Sequence, residues 1–163
     1  MARVCCGRTV ACASLKASME RPATYEDVNL ILRLYELRRE EKLRQARAWF
    51  VKNFHYKTMD EYVKGCPPGS DENTYARMVT SYWNMVASFI TSGVLHPELA
   101  FQNNQELLLV WERARVVAPA LREAYKSPNM WKNLEAAGNQ FIEYMNRTTP
   151  GSYEAFAART RAL

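Results

Sequence analysis

The sequence has few of the residues that build reactive sites. Its only histidines are His55 and His96, and no Glu-x-x-His motif is present, although helical bundles use that motif to hold two metal ions. No Cys-x-x-Cys pair occurs, which argues against a structural zinc site. The six glycines are scattered and form no phosphate-binding loop motif. These absences predict no catalytic residues, no metal and no cofactor, and favour a protein that is not an enzyme.

Long hydrophobic runs are also missing. No stretch approaches the ~20 consecutive apolar residues that a transmembrane helix needs, so no membrane association is expected. Three of the four cysteines lie near the N-terminus, and Cys66 lies in a Pro/Gly-rich loop. Such spacing makes a poor disulfide framework and favours free thiols in a reducing compartment. We therefore expect a cytoplasmic protein.

Charge and composition divide the chain into three parts. The first 21 residues carry four basic side chains and one acidic side chain. We predict a flexible basic leader over residues 1–22, a helical bundle domain over 23–148 and a C-terminal tail over 149–163, with room for one short helix. A secretion signal in the leader is disfavoured because its apolar run is short. Whether residues 1–18 belong to the mature chain stays open, since Met19 is an alternative start.

Apolar residues recur at helical spacing through the rest of the chain, and no strand-type alternation persists. The sequence predicts an all-α fold, a compact bundle of four to five main helices with a short extra helix and no sheet. Thr24 should cap the first helix, whose buried stripe should include Val28, Ile31 and Tyr35. Pro119 predicts a kink or a break in the helix expected over about 103–125. Ser127 should cap the helix that follows it. The expected main helices cover about 25–53, 73–92, 103–125 and 128–148, with a short one starting at Pro97. The charged run from Arg38 to Lys42 interrupts the first of them and leaves open a solvated bulge or a break into two shorter helices there.

Basic residues are concentrated in the first helix, where they alternate with acidic ones. A solvated charged face is the simplest interpretation, and a nucleic-acid-binding face that neutralises phosphates is the alternative. The candidate interaction surface consists of Arg38, Arg39, Lys42, Arg44 and Arg47.

Three tryptophans fall one to a helix near the apolar stripes: Trp83, Trp111 and Trp131. Indoles bury a large area, so a core position is favoured over a pocket lining. Gly138 lies on an apolar face, where the missing side chain would let another helix approach closely.

Several short motifs resemble a bacterial family of small all-helical domains of unknown function. They are Leu34-Tyr35-Glu36-Leu37-Arg38, Ala46-Arg47, the run from Phe89 to Leu95, and Trp111-Glu112-Arg113. The similarity covers residues 24–145. It implies a compact all-helical fold and carries no catalytic residues.

These observations favour a soluble helical domain that acts as a non-catalytic protein-binding or scaffolding module. Its expected partner is another protein or a second copy of the chain. One alternative is a nucleic-acid-associated regulator that uses the basic helix 25–53. A second alternative is a small-ligand carrier or an enzyme with a pocket between helices.

Overall fold

A computed structural model describes residues 21–162, and in that range the chain forms nine helices and no strand. The all-α prediction is therefore confirmed for the described residues, whereas the predicted leader lies almost wholly outside them. No helix in this range is long and apolar enough to cross a membrane. The helices are α1 (Tyr25–Arg38), α2 (Glu41–Asn53), α3 (Met59–Gly65), α4 (Asp71–Thr91), α5 (Pro97–Asn103), α6 (Gln105–Ala114), α7 (Ala118–Ala124), α8 (Lys132–Thr148) and α9 (Ser152–Ala162).

The first helix begins where the sequence predicts. The hydroxyl of Thr24 accepts a hydrogen bond from the backbone N–H of Asp27, and the Asp27 carboxylate accepts one from the Thr24 N–H at 2.8 Å. This reciprocal capping box satisfies two backbone donors that the helix itself leaves without partners. The expected region 25–53 is two helices, because α1 ends at Arg38 and the Glu40 side chain caps a new helix, α2.

Proline and backbone strain set two later boundaries. The chain turns between α6 and α7 just before Pro119, as the missing proline N–H requires. The predicted start of the fifth helix at Ser127-Pro128 is wrong, because α8 begins only at Lys132. Trp131 precedes it with φ 54°, a left-handed conformation that bulky residues rarely adopt.

The long helix α4 lies at the centre of the core. It packs mainly against α2 on one side and α8 on the other, while α9 packs against α6 and α8. Trp83 and Ile90 on α4 are fully buried, and Phe50 of α2 and Leu134 of α8 are buried with them. Burial of such large side chains is the main stabilising contribution to the bundle.

Candidate interaction surface on the first helix

Helix α1 is held to the bundle by few buried groups. Asp27 and Leu34 are its only buried residues, and Leu30 and Ile31 are half-buried against the core. The Tyr82 hydroxyl of α4 donates to the backbone carbonyl of Leu34 at 2.7 Å. Burial raises the pKa of Tyr82 to about 12, so this donor keeps its proton at neutral pH. One face of α1 thus rests on the bundle.

The N-terminal end of α1 is fixed by a buried carboxylate. Asp27 accepts two hydrogen bonds from the Arg21 guanidinium, at 2.6 and 2.7 Å, and one from the backbone N–H of His96 at 2.7 Å. The Arg21 guanidinium and the backbone donors hold the pKa of the Asp27 carboxyl well below its usual range. His96 is the N-cap of α5. Asp27 therefore joins the start of α1 to the start of α5.

The opposite face of α1 presents an apolar row to solvent. The row consists of Tyr25 (75% exposed), Val28 (42%), Leu32 (56%) and Tyr35 (49%). These residues follow one another at steps of three, four and three positions. We call these four residues the α1 stripe. Steps of three and four place side chains along one side of a helix. A continuous apolar row in water is a common mark of a binding surface.

The five predicted basic residues are divided between two environments. Arg47 donates from Nε and Nη2 to both oxygens of Glu106, with Nε–Oε1 at 2.6 Å, and Arg38 Nη1 lies 3.8 Å from the same carboxylate. Both arginines are half-buried, whereas the other three cations, Arg39, Lys42 and Arg44, are exposed. The guanidinium of Arg39 also lies 5.8 Å from the centre of the Tyr35 ring, beside the α1 stripe.

The three predicted tryptophans also differ in their surroundings. Trp83 is fully buried and donates Nε1–H to Glu106 at 3.3 Å. Trp111 is buried, and its indole N–H has no hydrogen-bond partner among the described residues. Trp131 is half-buried and lines a cavity of about 430 Å³ together with Tyr62 and Tyr125. Two tryptophans are therefore core residues and one borders a cavity.

The burial predicted for two residues of the α1 stripe is wrong. Val28 and Tyr35 are expected on the buried stripe of one long helix, yet both are exposed. A buried stripe for one helix over 25–53 assumes a single helical phase, whereas α1 ends at Arg38 and α2 begins with a new phase. A usable signal exists within α1 itself, because the consecutive apolar run Leu30–Leu32 cannot be buried on one face of a helix.

The described residues thus form an all-helical domain whose first helix exposes a row of apolar side chains. The family model of a domain of unknown function, DUF4760, matches residues 23–141. The chain belongs to this family, which confirms the resemblance to a family of domains of unknown function. The matched region begins just before α1 and ends within α8, so α9 lies outside it. No curated protein and no solved structure matches the chain.

Proposed function

We propose that this protein is a protein-binding module that pairs with a second copy of itself through the α1 stripe. The observation that carries the proposal is the concentration of apolar surface on one helix. Of the eleven exposed large hydrophobic side chains in residues 21–162, five belong to α1, including all four of the stripe. Removing such surface from water is the usual driving force for association.

The spacing of the stripe favours another helix as the partner surface. Steps of three and four residues are those at which two helices interlock their side chains. In a twofold dimer the same patch serves both copies. A stripe of four side chains supports a weak, reversible association.

Nucleic-acid binding receives less support from the same helices. Arg38 and Arg47 already share the Glu106 carboxylate, so three of the five candidate cations stay exposed. Glu40 and Glu41 lie among those three and oppose a polyanion. A phosphate-binding surface needs a concentrated group of basic residues. The apolar stripe is a more coherent surface than this mixed one.

Sedimentation velocity over a wide concentration range tests the proposal, with two valine variants as a matched pair. Val28 in the stripe and Val63 in α3 are 42% and 47% exposed in helices. We expect the wild type to form a dimer as concentration rises, Val28→Glu to remain monomeric, and Val63→Glu to dimerise like the wild type. A glutamate at position 28 would place a charge in the apolar contact, which costs several kcal/mol if it is buried there.

A wild-type protein that stays monomeric at every concentration contradicts self-association and leaves a different protein as the occupant of the stripe. Equal weakening of the dimer by Val28→Glu and Val63→Glu would contradict the assignment to α1, because the effect would then follow net charge. Circular dichroism of both variants establishes that each retains its helices.

A further inference from the structure

A second feature, remote from the α1 stripe in sequence, is a cavity of about 500 Å³ between the segment after α2, helix α6 and the end of α9. Its charged lining is strongly biased towards cations. The lining contains one carboxylate, that of Glu112, and four cationic side chains: Lys57, Arg113, Arg115 and Arg161. His55 also borders the cavity. A cavity of this volume is in the range of small-molecule sites.

Arg113 is the most unusual member of this lining. The residue is only 6% exposed, and its Nη1 donates to the backbone carbonyls of Phe50 and Val51 at the end of α2, at 3.0 and 2.6 Å. Its Nε and Nη2 are buried and have no acceptor among the described residues. Burial lowers the pKa of this guanidinium. Only Nη1 therefore caps α2. The N–H donors on Nε and Nη2 lack an acceptor among the described residues, although buried donors are usually hydrogen-bonded.

Glu112 does not neutralise the cavity. Its Oε1 accepts hydrogen bonds from Arg115 Nη1 at 2.8 Å and from the Tyr153 hydroxyl at 2.9 Å. Its Oε2 lies 3.6 Å from Arg161 Nη2 and accepts no hydrogen bond from the described residues. The carboxylate side chain is 1% exposed and is engaged by two arginines. One buried carboxylate among four cations leaves an excess of positive charge.

We propose that this cavity binds a small organic anion through a phosphate or carboxylate group. Arg113 lines the cavity, and a turn of its side chain would present the two unpartnered donors, on Nε and Nη2, to an oxyanion in the planar, two-point geometry that a guanidinium provides. Arg161, whose side chain is 69% exposed, and the exposed Lys57 attract the anion at the mouth. Thr160 and Arg161 belong to α9, which lies outside the family match. The binding properties of the cavity thus depend partly on residues beyond the family domain.

Thermal unfolding of the full chain tests the proposal, with inorganic phosphate and malonate as probes at constant ionic strength. A ligand that binds only the native state raises the melting temperature. We expect saturable stabilisation with a Kd on the order of millimolar, as befits a small fragment. Stabilisation by phosphate alone identifies a phosphate ligand, stabilisation by malonate alone a carboxylate ligand, and either supports the site. No shift with either anion up to about 50 mM, well above that Kd, overturns it.

Two arginines of α9 form the matched pair. Arg161 lines the cavity, whereas Arg159 is exposed on the same helix and is not part of the lining. We expect Arg161→Gln to weaken anion binding roughly tenfold, as loss of a charge-assisted contact does, and Arg159→Gln to leave it unchanged. Equal weakening by both variants overturns the proposal, because nonspecific attraction then explains the binding.

Arg113→Lys provides a further readout, because it keeps the charge at the base of the cavity but removes the two-point geometry. We expect it to abolish the probe-induced rise in melting temperature. If Arg113→Lys fails to fold, as judged by circular dichroism, the Arg161 and Arg159 pair still decides the question. Unchanged binding in a folded Arg113→Lys protein would overturn the role of Arg113.

Discussion

The indole of Trp111 lies directly against the backbone of Gly138. A Cβ atom at position 138 would come within 2.3 Å of Trp111 Cδ1 and 2.5 Å of Cγ. Both residues are buried where α6 meets α8. The close approach predicted from a glycine on an apolar helix face is therefore confirmed, and its partner is an indole ring.

Gly138→Ala should destabilise the fold, although alanine has the higher helix propensity. The new methyl group would gain about 1 kcal/mol of propensity but would have to displace the Trp111 ring, and overpacking of this kind costs about 1–3 kcal/mol. We expect a net decrease in the free energy of unfolding, measured by urea denaturation. Asn139→Ala, at the next and exposed position of α8, is the control and should raise the free energy of unfolding by about 0.5 kcal/mol through helix propensity alone. An increase in stability for Gly138→Ala would contradict the contact.

The carboxylate of Asp27 should make the free energy of unfolding decrease at acid pH. Its folded-state pKa lies below the ordinary value, so its contribution is fully present above a pH of about 4 and decreases as the pH falls further. Asp27→Asn should lose about 2 kcal/mol of unfolding free energy at neutral pH, because Arg21 loses its counter-ion and strong acceptors are removed.

Urea denaturation between pH 7 and pH 2 checks this pH dependence. The difference between wild type and Asp27→Asn should shrink as the pH drops below about 4, since the carboxyl of Asp27 then takes up a proton in the unfolded chain while it stays ionised in the folded protein. Asp60→Asn, at an exposed position in α3, is the control and should follow the wild type. A difference that stays constant to pH 2 would rule out this contribution.

The half-buried Glu106 should contribute far more to the free energy of unfolding than a surface glutamate does. Its carboxylate accepts hydrogen bonds from Arg47 and from the indole N–H of Trp83, so Glu106→Gln leaves Arg47 without its counter-ion. We expect a loss of about 2–3 kcal/mol of unfolding free energy. Glu36→Gln removes an exposed ion pair with Arg33, in which both side chains are about two-thirds exposed, and should cost less than about 0.5 kcal/mol.

Thermal and urea unfolding of both variants provide the measurement. Raised salt should not reduce the effect of Glu106→Gln appreciably, because partly buried pairs are screened less than exposed ones. Equal effects of the two substitutions would show that Glu106 acts as an ordinary surface charge.

Local rules predict much of the fold from the sequence. Thr24 caps α1 through a side chain three residues from its partner, and Gly93 adopts the left-handed conformation that is common just after a helix, with φ 78°. The break before Pro119 follows from the missing N–H of proline. Each of these features depends on neighbouring residues alone, so single-sequence reasoning identifies them.

The candidate sites depend on pairings between distant residues, which periodicity does not specify. Glu106 meets Arg47 across 59 positions of the chain, and Arg113 caps a helix that ends 60 positions earlier. Glutamate side chains are rarely buried, yet that of Glu112 is buried because α9 folds back over α6 and supplies Tyr153 and Arg161. The ion-pair network and the anion cavity could therefore not be predicted from the sequence.

The boundary between α1 and α2 has a consequence for how the first helix responds to a partner. Because α1 ends at Arg38 and buries only two residues, it can separate from the bundle without disturbing the hydrogen-bonded backbone of α2. Segments with so few buried contacts open locally at lower free energy than the core around them. A partner that binds the exposed face of α1 while the helix is packed on the bundle therefore also suppresses its local unfolding. The helix becomes more ordered as more of the protein is bound.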